Sequence, residues 1–176
     1  MGEKEKWYVV RVPYARELKL KDYLDQEQIE CFVPMRYKEV EKAGRKKRVL
    51  ASAVSSMAFI HSSKEEILKH QPFTAAISPF AFMIDKACKS PMVVPDREMR
   101  NFMLVANHVE DDIVYLDEAA ANMKVGEKVK VIGGPFEGVE GIITRIKKHK
   151  RILIRIEGVA AVATTHIPPE FLQKVE

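Results

Sequence analysis

Gly133, Gly134, Pro135, Gly138 and Gly141 crowd the stretch GEKVKVIGGPFEGVEGIITRI (126–146), between two alternating apolar runs. Glycines at that density can cradle a phosphate. A Walker loop, however, needs a Lys-Ser/Thr pair after its last glycine and a helix whose N-terminus faces the phosphates. Here Gly141 is followed by Ile142-Ile143-Thr144-Arg145-Ile146, a β pattern without that lysine. The dinucleotide fingerprint fails for the same reason. The loop therefore reads as a turn whose glycines permit positive φ and close strand approach. Other chemistry-bearing residues are equally unpromising. Cys31 and Cys88 have no CxxC partner and read as reduced, buried thiols. The five histidines are scattered without an i, i+4 ligand companion. His149 and His166 are assigned, like the others, to surface or core. No Ser/His/Asp or paired-carboxylate constellation can be argued from spacing, so neither an enzyme, a metal nor a cofactor is expected.

The elements that carry the loop are legible. Lys6-Trp7-Tyr8-Val9-Val10-Arg11-Val12 mixes aromatic and β-branched residues and predicts a buried strand, stopped by Pro13. Tyr14/Leu18 and Leu20/Tyr23/Leu24 then fall at helical spacings. CFVPMRYKEVE (31–41) predicts a strand broken or edged at Pro34. KAGRKKR (42–48) is a polar tip around Gly44, and VLASAV leads back, giving a long basic hairpin. SMAFIHS (56–62) is the next strand. Ser63 and Glu66 form a capping box for a helix ending at Pro72. FAFMID and MVVP add strands, and Asp96 caps a helix with Met99, Phe102, Met103 and Ala106 on one side. Beyond residue 123 the pattern is purely β: Ile152, Ile154 and Ile156 alternate with Leu153 and Arg155, after a basic turn KKHKR (147–151).

Length and charge divide the chain. Its 176 residues, 47% hydrophobic and 8% aromatic, suffice for one domain or two small ones. Residues 1–106 carry 19 Lys+Arg against 14 Asp+Glu, 107–122 carry five acids and no base, and 123–176 carry ten bases and six acids. Two basic bodies, each able to face a polyanion, are thus joined by an acidic connector that is expected to be mobile, with Ile113, Val114, Tyr115 and Leu116 as an apolar interruption able to dock. No apolar run approaches the ~18 residues of a membrane span, and the first residues lack a signal-peptide core. The expectation is a cytoplasmic monomer without membrane contact. The fold class is α+β: an N-terminal, mostly antiparallel sheet flanked by helices (1–106), an acidic linker (107–122) and a small SH3-like β-barrel (123–176).

The glycine-rich stretch strongly resembles the KOW motif, in which a strand, a Gly-rich loop and a second strand open a small barrel. WYVVRV, a helix, CFVPMRY, a basic hairpin and VVPDREMRNFM follow in the order of the N-terminal domain of NusG-type transcription elongation factors. The resemblance covers nearly the whole chain. It implies a non-catalytic protein that binds the clamp helices of the largest RNA polymerase subunit through its N-terminal domain. It also implies that the KOW domain recruits a second partner, Rho or a ribosomal protein in general NusG proteins. In the polymerase-facing segment, where the family usually reads FPGYVLV, this chain has VSSMAFI (54–60), so Val54 and Met57 replace aromatics while Phe59 stays apolar. In the barrel loop, PFEGVEG puts Val139 where PFADFNG has a second aromatic. Both departures resemble specialised, operon-dedicated antiterminators of the RfaH and UpxY kind.

The candidate polymerase-binding residues are accordingly Val54, Met57, Phe59 and Phe82, with Phe80 as an alternative to Phe82. Met57 and Phe59 share one strand face, and Ala58 and Ile60 the other. Sheet core is the competing reading. Arg45, Lys46, Lys47 and Arg48 are candidates for contact with non-template DNA or nascent RNA, against a solvated hairpin tip that blunts aggregation. Phe136, exposed at a loop tip, and Val139 are candidates for the KOW partner, against a plug in the barrel end. A ribosome- or RNA-associated KOW protein remains the alternative function.

Overall fold

The computed structural model describes residues 2–109, 112–116, 126–146 and 148–176. They form two compact units, Met1–Asp96 and Arg97–Glu176. The architecture is mixed α+β, with antiparallel pairing throughout.

In the first unit, β1 (Lys6–Arg11) is the sheet centre. It pairs with β5 (Met57–Ser62) on one side and with the short β6 (Ala81–Phe82) and β7 (Val93–Val94) on the other. β2 (Glu30–Phe32) extends the sheet beyond β5. α1 (Glu17–Gln26) and α2 (Lys64–Thr74) contribute Leu20, Leu24 and Ile67 to a core with Tyr8, Val10, Cys31, Ala58 and Ile60. The expected strand at 31–41 splits at Val33-Pro34, because a proline cannot donate to a ladder. Its second half, β3 (Met35–Lys42), leaves the sheet and pairs only with β4 (Arg45–Ser52), as a separate two-stranded ribbon.

Local chemistry sets several ends differently from the expectation. α1 starts at Glu17 rather than near Pro13, because Tyr14 and Ala15 take left-handed φ of 63° and 51°. Tyr14 is consequently 79% exposed. Ser63 Oγ accepts the Glu66 N–H at 3.1 Å, which is half of the predicted capping box. The Glu66 carboxylate turns instead to Lys69 and His70, and these hydrogen bonds hold its carboxyl below the usual range. α2 runs through Pro72 to Thr74, whose Oγ1 donates to the carbonyls of His70 and Gln71.

α3 (Asp96–Ala106) groups, from Arg97 on, with the strands that follow. Its buried residues are Met99, Phe102, Val105 and Ala106, with Val105 in the place expected for Met103. The six-stranded sheet runs β13-β9-β10-β11-β12-β8: Leu172–Lys174, Lys128–Val131, Glu140–Ile146, His149–Ile156, Ala160–Ala163 and Val114–Leu116. Of the expected acidic linker, residues 110–111 and 117–122 lie outside the described residues, as do 123–125 and Lys147. Val114–Leu116, however, form an edge strand on β12 rather than a free connector. This edge explains why Leu153, which alternates with Ile152 and Ile154, is buried as they are. It packs with Ala161, Ala163, Val114 and Leu116 in a second small core on the other side of the sheet from Ile152 and Ile154.

Candidate functional site

The glycines between β9 and β10 do steric work. A Cβ on Gly141, at the start of β10, would lie 2.5 Å from the Leu153 carbonyl oxygen, so this close approach of β10 to β11 admits nothing larger. A Cβ on Gly133 would lie 2.8 Å from the Phe171 ring. No helix follows the loop, and among the described residues no group of three or more His, Cys, Asp or Glu is placed to hold a metal.

Phe136 is not at an exposed tip. It is 4% exposed, with its ring centroid 4.5 Å from that of His108, and Val139 is fully buried. The loop folds back because Gly138 N–H donates to the Val131 carbonyl and Val131 N–H to the Val139 carbonyl, which draws both side chains inward. Arg151, read as part of a basic turn, is also inside. It is 3% exposed and donates to the Asp112 carboxylate at 2.7 Å and to the Thr164 carbonyl at 3.0 Å.

In the first unit, the register Val9↔Phe59 and Arg11↔Met57 puts Trp7, Val9, Met57, Phe59 and His61 on one sheet face. That face is opposite the helix-packed core, as the alternation predicted. Met57 and Phe59 are nonetheless buried, Phe59 completely, so neither is a surface residue. Phe82 pairs with Val10 and packs edge-on against Tyr8, on the helix-packed face. Phe80 joins the same core. The four candidates therefore do not make one patch, because strand alternation sends Phe82 and Phe59 to opposite sides. Val54 is half-buried in the β4–β5 turn. That turn is held from below by Glu17, a buried carboxylate of α1 that accepts the Ser56 N–H at 2.5 Å, a bond no sequence pattern announced.

The basic residues run back from the ribbon tip. Ala43 and Gly44, both with positive φ, make a two-residue turn of the kind that matches strand twist. Arg45, Lys46, Lys47 and Arg48 then lie along β4, all exposed. The Arg48 guanidinium sits over the Tyr37 ring, 4.0 Å from its centroid.

The described residues thus form a helix-backed antiparallel sheet carrying a basic ribbon, followed by a glycine-turned β unit. The profile of the family described as "Transcription termination factor nusG" matches residues 5–103, and that of the KOW motif matches residues 125–155. The chain belongs to the NusG family; it is a transcription factor and not an enzyme. A solved structure described as "Domain interaction in Thermotoga maritima NusG" has the same fold. It is 21% identical, with a TM-score of 0.52 over 98% of both chains. No curated protein matches. No helix among the described residues is long and apolar enough to cross a membrane.

Proposed function

We propose that this chain is a cytoplasmic elongation and antitermination factor that binds RNA polymerase through its N-terminal unit and recruits a further partner, a ribosomal protein or Rho, through its KOW unit. The polymerase contact is assigned to the segment 54–59 at the end of the main sheet. Val54 is the reachable residue there, while Met57 and Phe59 form its packed floor. The ribbon lies along non-template DNA or nascent RNA. The observation that carries this reading is the combination of a NusG-type sheet with an exposed cationic ribbon whose strands pair only with each other. Val54, Met57 and Val139, standing where general NusG proteins have aromatics, support a factor dedicated to particular operons. The test is binding of the full chain to purified RNA polymerase and, separately, to purified ribosomes. Polymerase binding with terminator readthrough is the expected result. Ribosome binding without polymerase binding would replace this reading with that of a ribosome-associated KOW protein.

A further inference from the structure

The ribbon has two chemically different faces, which the run of four basic residues conceals. Residues directly opposite each other in an antiparallel pair point to the same side, and successive residues alternate. The two-residue turn fixes Lys42 opposite Arg45, Val40 opposite Lys47, Lys38 opposite Val49 and Arg36 opposite Ala51. One face therefore carries Arg36, Lys38, Lys42, Arg45 and Lys47 without a single acidic or aromatic residue. On the other, Lys46 faces Glu41 and Arg48 faces Glu39, with Tyr37 opposite Leu50. That face is close to charge-neutral, and the Arg48 guanidinium is engaged with Tyr37.

We propose that the Arg36/Lys38/Lys42/Arg45/Lys47 face is a track for a nucleic-acid phosphate backbone, and that Lys46 and Arg48 belong to the ribbon's own fold rather than to the contact. Every cross-strand row of this face bears a cation, and the row at the tip bears two. At about 3.4 Å per residue the track is roughly 20 Å long. All five cations are exposed. The occupant is named by charge complementarity: uniform positive potential without a carboxylate suits a polyanion with regularly spaced charges. The absence of an aromatic platform removes base stacking, so binding is to the backbone and independent of sequence. This rests on the reading that the ribbon meets nucleic acid, and it assigns that role to one side of it.

Two double variants of the full chain test the assignment, because each removes the same net charge from the same strand. Arg45→Gln with Lys47→Gln strips the track, whereas Lys46→Gln with Arg48→Gln strips the compensated face. Each is titrated against a 30-base-pair DNA duplex of mixed sequence, and against one of its single strands, between 50 and 200 mM salt. The track variant is expected to lose about 1.8 from the logarithmic salt slope on duplex, or about 1.4 on the single strand. Its affinity deficit then narrows roughly twelvefold on duplex across that fourfold salt range. The other variant is expected to keep the parental slope on both probes. The arm whose loss reaches its own expected value identifies the backbone source. Equal losses by the two variants would overturn the face assignment while leaving nucleic-acid contact in place, and so would a loss confined to Lys46 and Arg48. No loss by either would overturn both the track and the reading beneath it. A circular dichroism spectrum unchanged in both variants keeps the comparison on the surface.

Discussion

Arg151 and Asp112 stand 39 residues apart in the chain and meet at 2.7 Å, the guanidinium buried and the carboxylate largely exposed. The same guanidinium reaches the backbone carbonyl of Asp112, so the pair clamps the entry to β8 onto β11. Once buried, a guanidinium keeps the full cost of desolvation if its partner is removed. Asp112→Ala is therefore expected to destabilise the second unit by about 1–3 kcal/mol. The measurement is urea unfolding combined with hydrogen exchange. The amides of Val114–Leu116 should lose protection before those of β10 and β11. Parental protection in the edge strand would show that the clamp carries no stability.

The close approach at Gly141 makes a sharper steric prediction. Gly141→Ala pushes a methyl against the Leu153 carbonyl oxygen and Ile152 Cγ2, and backbone cannot yield as a flexible side chain can. Overpacking of this kind costs roughly 1–3 kcal/mol. A lower melting temperature, with disrupted β10–β11 amide signals and an unchanged first unit, is the expected outcome. An unshifted melting curve would mean that the strands separate freely at this point.

What the sequence disclosed and what it hid divide along physical lines. β1, β5, the basic hairpin and α3 announced themselves because burial on one side writes a period of 2 or 3.6 into the residues. The residues missed were those whose surroundings come from distant segments. Val114-Tyr115-Leu116 is too short a run amid acids to declare an edge strand, yet it is what buries Leu153. Phe136 looked like a tip residue because its loop is rich in glycine. Its ring is covered by His108, 28 positions earlier, which no local pattern could reveal. In the ribbon, composition disclosed the charge but not its sidedness. Sidedness depends on whether the turn has two residues or three, since a slip of one exchanges the faces.

The two cysteines, both free, should respond oppositely to alkylation. Burial pushes the Cys31 thiol up to about 12, with Lys21 opposing the shift and Asp25 adding to it. Cys88, expected to be buried, is instead exposed in the loop between β6 and β7. Iodoacetamide at pH 8 should therefore label Cys88 in the native chain and reach Cys31 only in denaturant, as read by peptide mass. The sign for stability follows from the raised value. An unfolded thiol ionises near 9, so Cys31 favours folding fully below that pH and loses its contribution as pH climbs toward 12. Native labelling of Cys31 at pH 8 would contradict its burial.

The last prediction separates packing from contact in the segment 54–59. Met57 and Phe59 are buried, and replacing them with serine removes apolar volume while introducing hydroxyls without arranged partners. Truncation of a buried phenylalanine costs about 3–5 kcal/mol, and of a methionine about 2–5. Together these approach the whole stability of an ordinary domain, about 5–15 kcal/mol. Met57→Ser with Phe59→Ser should consequently collapse the melting transition of the first unit, and polymerase binding should vanish with it. Val54 stands in a turn that Glu17 supports through Ser56, so Val54→Asp should leave the melting temperature within a few degrees of the parent. The buried charge that such a contact would impose on the complex should still lower polymerase affinity at least tenfold, about 1.4 kcal/mol. Calorimetry and polymerase titration on both variants give the decision. A double serine variant that melts normally but no longer binds would return Met57 and Phe59 to the contact surface. A Val54→Asp variant that binds as the parent does would move the docking site away from this turn.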